Sequence, residues 1–276
     1  MPTVTLYRPV GPAELQLVAE SAWTRFPPRL PEQPIFYPVL TLEYADQITR
    51  QWNVPQFGAG HVTEFEVDAE YLGQFEVRQV GGAEHRELWV PAEELDAFNA
   101  HIRGPIRVVR SYPPKSGPRE IAEFVTNYQP QDEVFVSFSW NGEHAGGLKD
   151  FNGLFRRAVC EHFRSHKADT PLALIAALYT AETQFAREAW GVHPIVSELA
   201  QELLDRGGAE YADVYFAGMC QGMDAYLETG RIKLSDQRRD ELLAYCVAQQ
   251  RAHAGTAREK DYEMLRDRFA GVPGAG

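Results

Sequence analysis

The stretch Pro113-Pro114-Lys115-Ser116-Gly117-Pro118 sets the plan of the chain, because three prolines and a glycine in six residues can continue neither a helix nor a central strand. The sequence on either side of it has a different hydrophobic period. Before it, Val4-Thr5-Leu6-Tyr7-Arg8-Pro9-Val10 reads as a strand, and Thr63, Phe65 and Val67 alternate with Glu64 and Glu66 as in a half-buried strand. From Leu148 onward apolar residues recur at helical spacing, as in Leu172, Ile175, Ala176, Leu178 and Tyr179. The expected fold class is α+β: a strand-rich domain over residues 1–112, a linker at 113–118, and a mainly helical bundle over 119–276.

In the first half, Pro12 and Glu14 open a helix that should run to about Trp23, and Phe26-Pro27-Pro28-Arg29-Leu30-Pro31-Glu32-Gln33-Pro34 must be an extended loop. Ile35-Phe36-Tyr37 reads as a second strand. A helix capped by Thr41 is expected over 42–52, further strands over 62–67, 75–80 and 106–109, and short helices near 68–72 and 93–99. In the second half, helices are expected at 119–126, 148–166, 170–190, 194–206, 209–228, 235–253 and 257–269, with one strand at 133–140.

With 276 residues, 44% of them hydrophobic, the chain can bury a sizeable core. Its formal charge of -12 argues against a long nucleic acid as partner, since phosphate binding needs concentrated positive charge. Cys160, Cys220 and Cys246 are widely spaced and form no Cys-x-x-Cys pair, so neither a disulfide framework nor a cysteine zinc site is indicated. The start of the chain lacks an apolar signal-peptide core, and no run approaches the ~20 apolar residues of a membrane helix. The expectation is a soluble, cytoplasmic protein with no membrane partner.

One carboxylate stands out. In His85-Arg86-Glu87-Leu88-Trp89-Val90-Pro91, Glu87 opens a short strand-like run that a proline ends, and Gly81-Gly82 precede it in a loop. With Arg8 on the first strand and Phe36-Tyr37 on the second, residues 1–110 resemble the ADP-ribosyltransferase fold. They are also similar to small bacterial proteins labelled "ADP-ribosylation/crystallin J1", which share the Leu-Tyr-Arg-Pro-Val-Gly opening, the Phe-Pro-Pro-Arg loop and the Glu-Leu-Trp-x-Pro-Ala-Glu-Glu-Leu string. The crystallin side of that label implies a helical glycohydrolase with clustered aspartates, and no such cluster is present in the sequence.

The resemblance implies a split β-sheet domain that takes NAD as substrate in a central cleft and transfers ADP-ribose to a macromolecular or small acceptor. Glu87 would then be catalytic, stabilising the oxocarbenium charge left when nicotinamide departs. Arg8, beside Tyr7, would meet the pyrophosphate; Tyr37 or Phe36 would stack on nicotinamide; and His85 would stand where an arginine-modifying enzyme carries its first glutamate. The Ser-Thr-Ser strand of that branch is replaced by Phe36-Tyr37-Pro38, which leaves the acceptor open. The alternative is an inactive module in which the same fold has become a binding surface.

In the second half, Glu161, His162, His166, Glu182, Glu188, His193 and Glu198 invite a metal reading, but no Glu-x-x-His pair joins them, and solvated helix faces are the expectation. Gly142-Glu143-His144-Ala145-Gly146-Gly147 lacks the Lys-Ser/Thr of a phosphate loop. This half is expected to supply target choice, self-association or restraint of the first domain.

Overall fold

A computed structural model describes residues 2–82 and 84–271. The chain divides into two units. The first comprises residues up to Lys115 together with Ser139–Gly142 and Lys149–Phe151; the second takes the remainder. The expectation of one contiguous helical domain over 119–276 is corrected by those two short returns.

In the first unit, β1 (Thr3–Val10) leads into α1 (Pro12–Glu20), which starts at a proline that needs no hydrogen-bond partner for its nitrogen. After the proline-rich loop come β2 (Ile35–Phe36) and α2 (Leu42–Ile48), whose first turn is capped by the Thr41 hydroxyl accepting from the Tyr44 N–H at 3.3 Å. The helix expected over 42–52 widens into a π turn at Thr49–Asn53 before α3 (Val54–Phe57). Pro55 has no N–H to close the regular ladder, so the helix cannot continue in α register through this point.

Next come β3 (Gly60–Asp68), α4 (Ala69–Leu72), β4 (Val77–Gln79), β5 (Arg86–Leu88), β6 (Val90–Pro91), α5 (Leu95–Ala100) and β7 (Ile102–Tyr112). β3 lies between β1 and β7, antiparallel to both. β4 pairs with β5 and β2 with β6, and Val39 bridges Tyr7 of β1 to Glu87 of β5. The two halves of the sheet are thus joined through one residue. Leu6, Val10, Phe26, Phe36, Phe65 and Phe98 fill the main core on one face; Val39, Ala45 and Val62 form a small cluster under α2 on the other.

The second unit contains α6 (Pro118–Asn127), α7 (Gly153–Ser165), α8 (Leu172–Ala189), α9 (Ile195–Glu202), α10 (Ala212–Met219), α11 (Met223–Thr229), α12 (Asp236–Ala252) and α13 (Ala257–Ala270). The strand expected at 133–140 is corrected to a 3-10 turn at Pro130–Phe135. There the Gln129 and Asp132 side chains cap each other's backbone, and local capping overrides the β-propensity of Val134 and Val136. The single helix expected over 209–228 is broken at Cys220–Gly222 into α10 and α11. Gly218 lets α10 approach α8 closely, since a Cβ there would stand 2.3 Å from the Tyr179 ring.

Candidate functional site

Glu87 sits in the join of the sheet. Residues directly opposite in an antiparallel ladder share a face, so the bridges through Val39 set Tyr7, Val39 and Glu87 side by side on the face covered by α2. Trp89, two residues on, returns to that face and its indole N–H donates to Glu87 Oε1 at 2.6 Å. From α2, Tyr44 stands within electrostatic reach of Glu87: its phenol is raised first by burial and then by the Glu87 charge. Glu87 is only 9% exposed. It is therefore a fixed hydrogen-bond acceptor rather than a mobile surface carboxylate.

Aromatic rings surround it. Tyr37 meets Trp89 edge-on at 5.7 Å, and the Arg78 guanidinium lies 4.0 Å over the Trp89 ring. His85 stacks on Tyr44 at 4.5 Å. Its Nδ1 accepts from the Gly82 N–H, which leaves the neutral ring's proton on Nε2, where it donates to Gln47 Oε1 at 3.1 Å. Tyr7 stands opposite Glu64 in the ladder, and burial followed by that carboxylate raises its phenol. Glu43, Glu64 and Glu87 act on Tyr7 or Tyr44, and Arg78 and Arg107 stand opposite Glu87 and Glu64 in their ladders, so this face carries both signs of charge.

Arg8 follows Tyr7 in β1 and so points to the other face, among Leu6 and Val10 of the core. Its Nε and Nη2 donate to the two Glu14 oxygens at 3.1 and 3.2 Å, its Nη1 donates to the Tyr37 carbonyl at 3.2 Å, and its carbon lies 5.0 Å over the Phe36 ring. The expectation that Arg8 and Glu87 line one cleft is corrected by this register: alternation along β1 sends them to opposite sides of the sheet. Phe36 is corrected as well. It is fully buried between Phe26 and Phe98 and has no face left for a nicotinamide ring. Tyr7, Tyr37 and His85 gather with Glu87; Arg8 and Phe36 do not.

Sequence reasoning passed over Glu14 and Arg29, which stand with Arg8 on the core side. They line a cavity of about 400 Å³ between the start of α1 and the proline-rich loop, closed further by Leu17, Leu30 and Phe57. Glu14 lies six residues from Arg8 across a turn, where no periodic spacing flags a pair. Trp89 and Tyr44 were also missed as partners of Glu87. Alternation from Glu87 to Trp89 was the available signal for one of them.

The second unit has its own buried charge. Arg156 is 1% exposed and donates through Nε to Glu182 Oε1 at 2.6 Å, while His193 Nδ1 meets Glu182 Oε2 at 2.6 Å. Glu188, also buried, pairs with His144 at 2.9 Å and with Arg187. Solvated helix faces were expected for Glu182 and Glu188, and that is corrected: both point inward because each has a cation to meet. Among the described residues no group of three or more His, Cys, Asp or Glu is arranged to hold a metal ion. No helix among them is long and apolar enough to cross a membrane. The chain matches no protein-family model, no curated protein and no solved structure.

Proposed function

We propose that the first unit is a binding module of ADP-ribosyltransferase-like strand arrangement that does not carry out the transfer. The observation that carries this reading is the placement of Arg8, whose donors are committed to Glu14 and the Tyr37 carbonyl on the face opposite Glu87. An NAD-cleaving site needs its phosphate cation and its carboxylate on one ligand, and a cation already holding a bidentate carboxylate has no fork left for a pyrophosphate.

A second reading keeps the NAD-dependent transferase, with an unknown acceptor. It is favoured by the row Tyr7, Val39, Glu87, which brings the first strand, the segment after the second and the glutamate strand together, and by the aromatic rings beside the carboxylate. One assay separates the two. Nicotinamide release from NAD is measured for the full chain and for Glu87→Gln. The binding-module reading expects no release above the uncatalysed background in either protein. Release by the native chain that drops about 100-fold in Glu87→Gln would overturn it and establish the transferase, since the loss would fall on charge formed in the transition state.

A further inference from the structure

The cavity between α1 and the proline-rich loop has a charge imbalance built into its wall. Two guanidinium groups, Arg8 and Arg29, face one carboxylate, Glu14, and Arg8 takes both of its oxygens. Arg29 is left over. Its Nη1 stands 3.7 Å from Glu14 Oε1, beyond hydrogen-bonding distance, and only its Nη2 is engaged, by Gln33 Oε1 at 2.9 Å. The Arg29 side chain is 8% exposed, and its Nε is buried with no acceptor at all. A buried cation with unmade hydrogen bonds is costly unless something completes its shell.

The start of α1 adds to the same field. Gly11 is the N-cap residue and offers no side chain to the first-turn N–H groups, and Gly11, Pro12, Ala13 and Glu14 all lie on the cavity wall. An uncapped helix start carries about half a positive charge. Arg29 itself is lowered from the usual arginine range, first by burial and then by the neighbouring Arg8 charge, as expected where positive charge is in excess. The remaining wall is apolar apart from Gln33 and Gln56, with Leu17, Pro27, Pro28, Leu30 and Phe57. Leu17 and Phe57 are 48% and 42% exposed, so both present apolar surface to an incoming molecule.

We infer that this cavity is a binding site for a small monocarboxylic acid with an apolar body, its carboxylate seated on the Arg29 guanidinium and its hydrocarbon part against Leu17, Leu30 and Phe57. One net positive charge matches one carboxylate, the planar guanidinium suits its two oxygens, and the apolar wall rejects a fully hydrated ion. The site lies across the sheet from Glu87. It goes beyond the binding-module reading and stands whether or not Glu87 is catalytic.

The test is calorimetric titration of the full chain with 3-phenylpropionate, with its neutral counterpart 3-phenylpropanol, and with inorganic phosphate. The acid is expected to bind at least about tenfold more tightly than the alcohol or phosphate. Arg29→Gln is expected to weaken the acid at least about tenfold and leave the alcohol unchanged. Leu17→Trp, on the exposed side of α1 where it cannot disturb the core, is expected to fill the cavity and abolish binding. Should Arg29→Gln fail to fold, Leu17→Trp decides alone. Equal binding of acid and alcohol, preference for phosphate, no heat at millimolar acid, or undiminished binding in Leu17→Trp would each overturn the assignment. Nicotinamide release reads the Glu87 face and this titration reads the cavity, so failure of one inference is not failure of the other.

Discussion

His61 shows how far a single buried group can tie stability to pH. It is 2% exposed, its Nδ1 lies 3.0 Å from the Ser111 hydroxyl, and burial pushes its imidazole down to about 4 from an ordinary 6.5. The unfolded chain therefore takes up a proton near pH 6.5 that the folded unit refuses until about 4. Stability is complete above pH 6.5 and is lost as the pH falls toward 4, by about 3 kcal/mol from this residue. Urea unfolding of the native chain and of His61→Gln across this range should show the two curves converging in acid, and parallel curves would refute the assignment. Glu182 works in the same sense, over a more acidic range. Burial pushes its carboxyl up, but the His193 hydrogen bond and Arg156 more than offset this and hold it below the usual glutamate value. Its contribution is present above the ordinary carboxylate range and disappears as pH falls through the lowered value. Glu182→Ala takes from buried Arg156 the carboxylate its Nε donates to and should cost about 3–5 kcal/mol, whereas Arg156→Met combined with Glu182→Leu should recover most of that loss. If the double variant is as unstable as the single, packing and not charge explains the effect. At this scale the sequence marked Glu87 and Arg8 as notable, but side-chain direction depends on register, and register was the one thing that short strands interrupted by Pro9 and Pro38 left undetermined.

At the scale of elements, the alternation in β3 was legible because Glu64 and Glu66 emerge on one face while Phe65 and Val67 enter the core. The join through Val39 was not. Pro38 reads as a strand terminator because it cannot donate, yet its carbonyl accepts from the Leu88 N–H at 2.9 Å, so pairing passes the proline on its acceptor side. Val39 then closes both hydrogen bonds with Tyr7, at 2.8 and 2.9 Å. The α2 helix that covers this join was legible from its apolar stripe and from Thr41. That cap does two tasks: Thr41 accepts from the Tyr44 N–H and donates to the Glu84 carbonyl at 3.2 Å, linking the helix to the loop before β5. Thr41→Ala is expected to lower stability by about 1 kcal/mol in denaturant unfolding. An unchanged midpoint would mean that water replaces the hydroxyl without loss.

The whole molecule departs from a simple division at the linker because residues Ser139–Gly142 and Lys149–Phe151 belong to the first unit. Phe151 packs beside that unit's core, its ring 6.0 Å from both Trp23 and His61, and its N–H donates to the Ser139 carbonyl at 2.7 Å. Nothing periodic marks so short a return, which is why the proline-rich linker alone appeared to end the domain. Phe151→Ala should destabilise the first unit by up to about 3 kcal/mol, less than a fully buried ring would, while unfolding of the helical unit stays unchanged. Equal loss in both would refute a separate first core. The same return governs the order of events on a ribosome. Domains ordinarily fold as their last residue emerges, the N-terminal one first. Here the nascent first unit leaves the exit tunnel at Lys115 with a vacancy in its apolar packing, and α6 of the second unit is synthesised before Phe151 arrives to fill it. Translation speed between these points therefore sets how long the growing chain displays unfinished hydrophobic surface to chaperones.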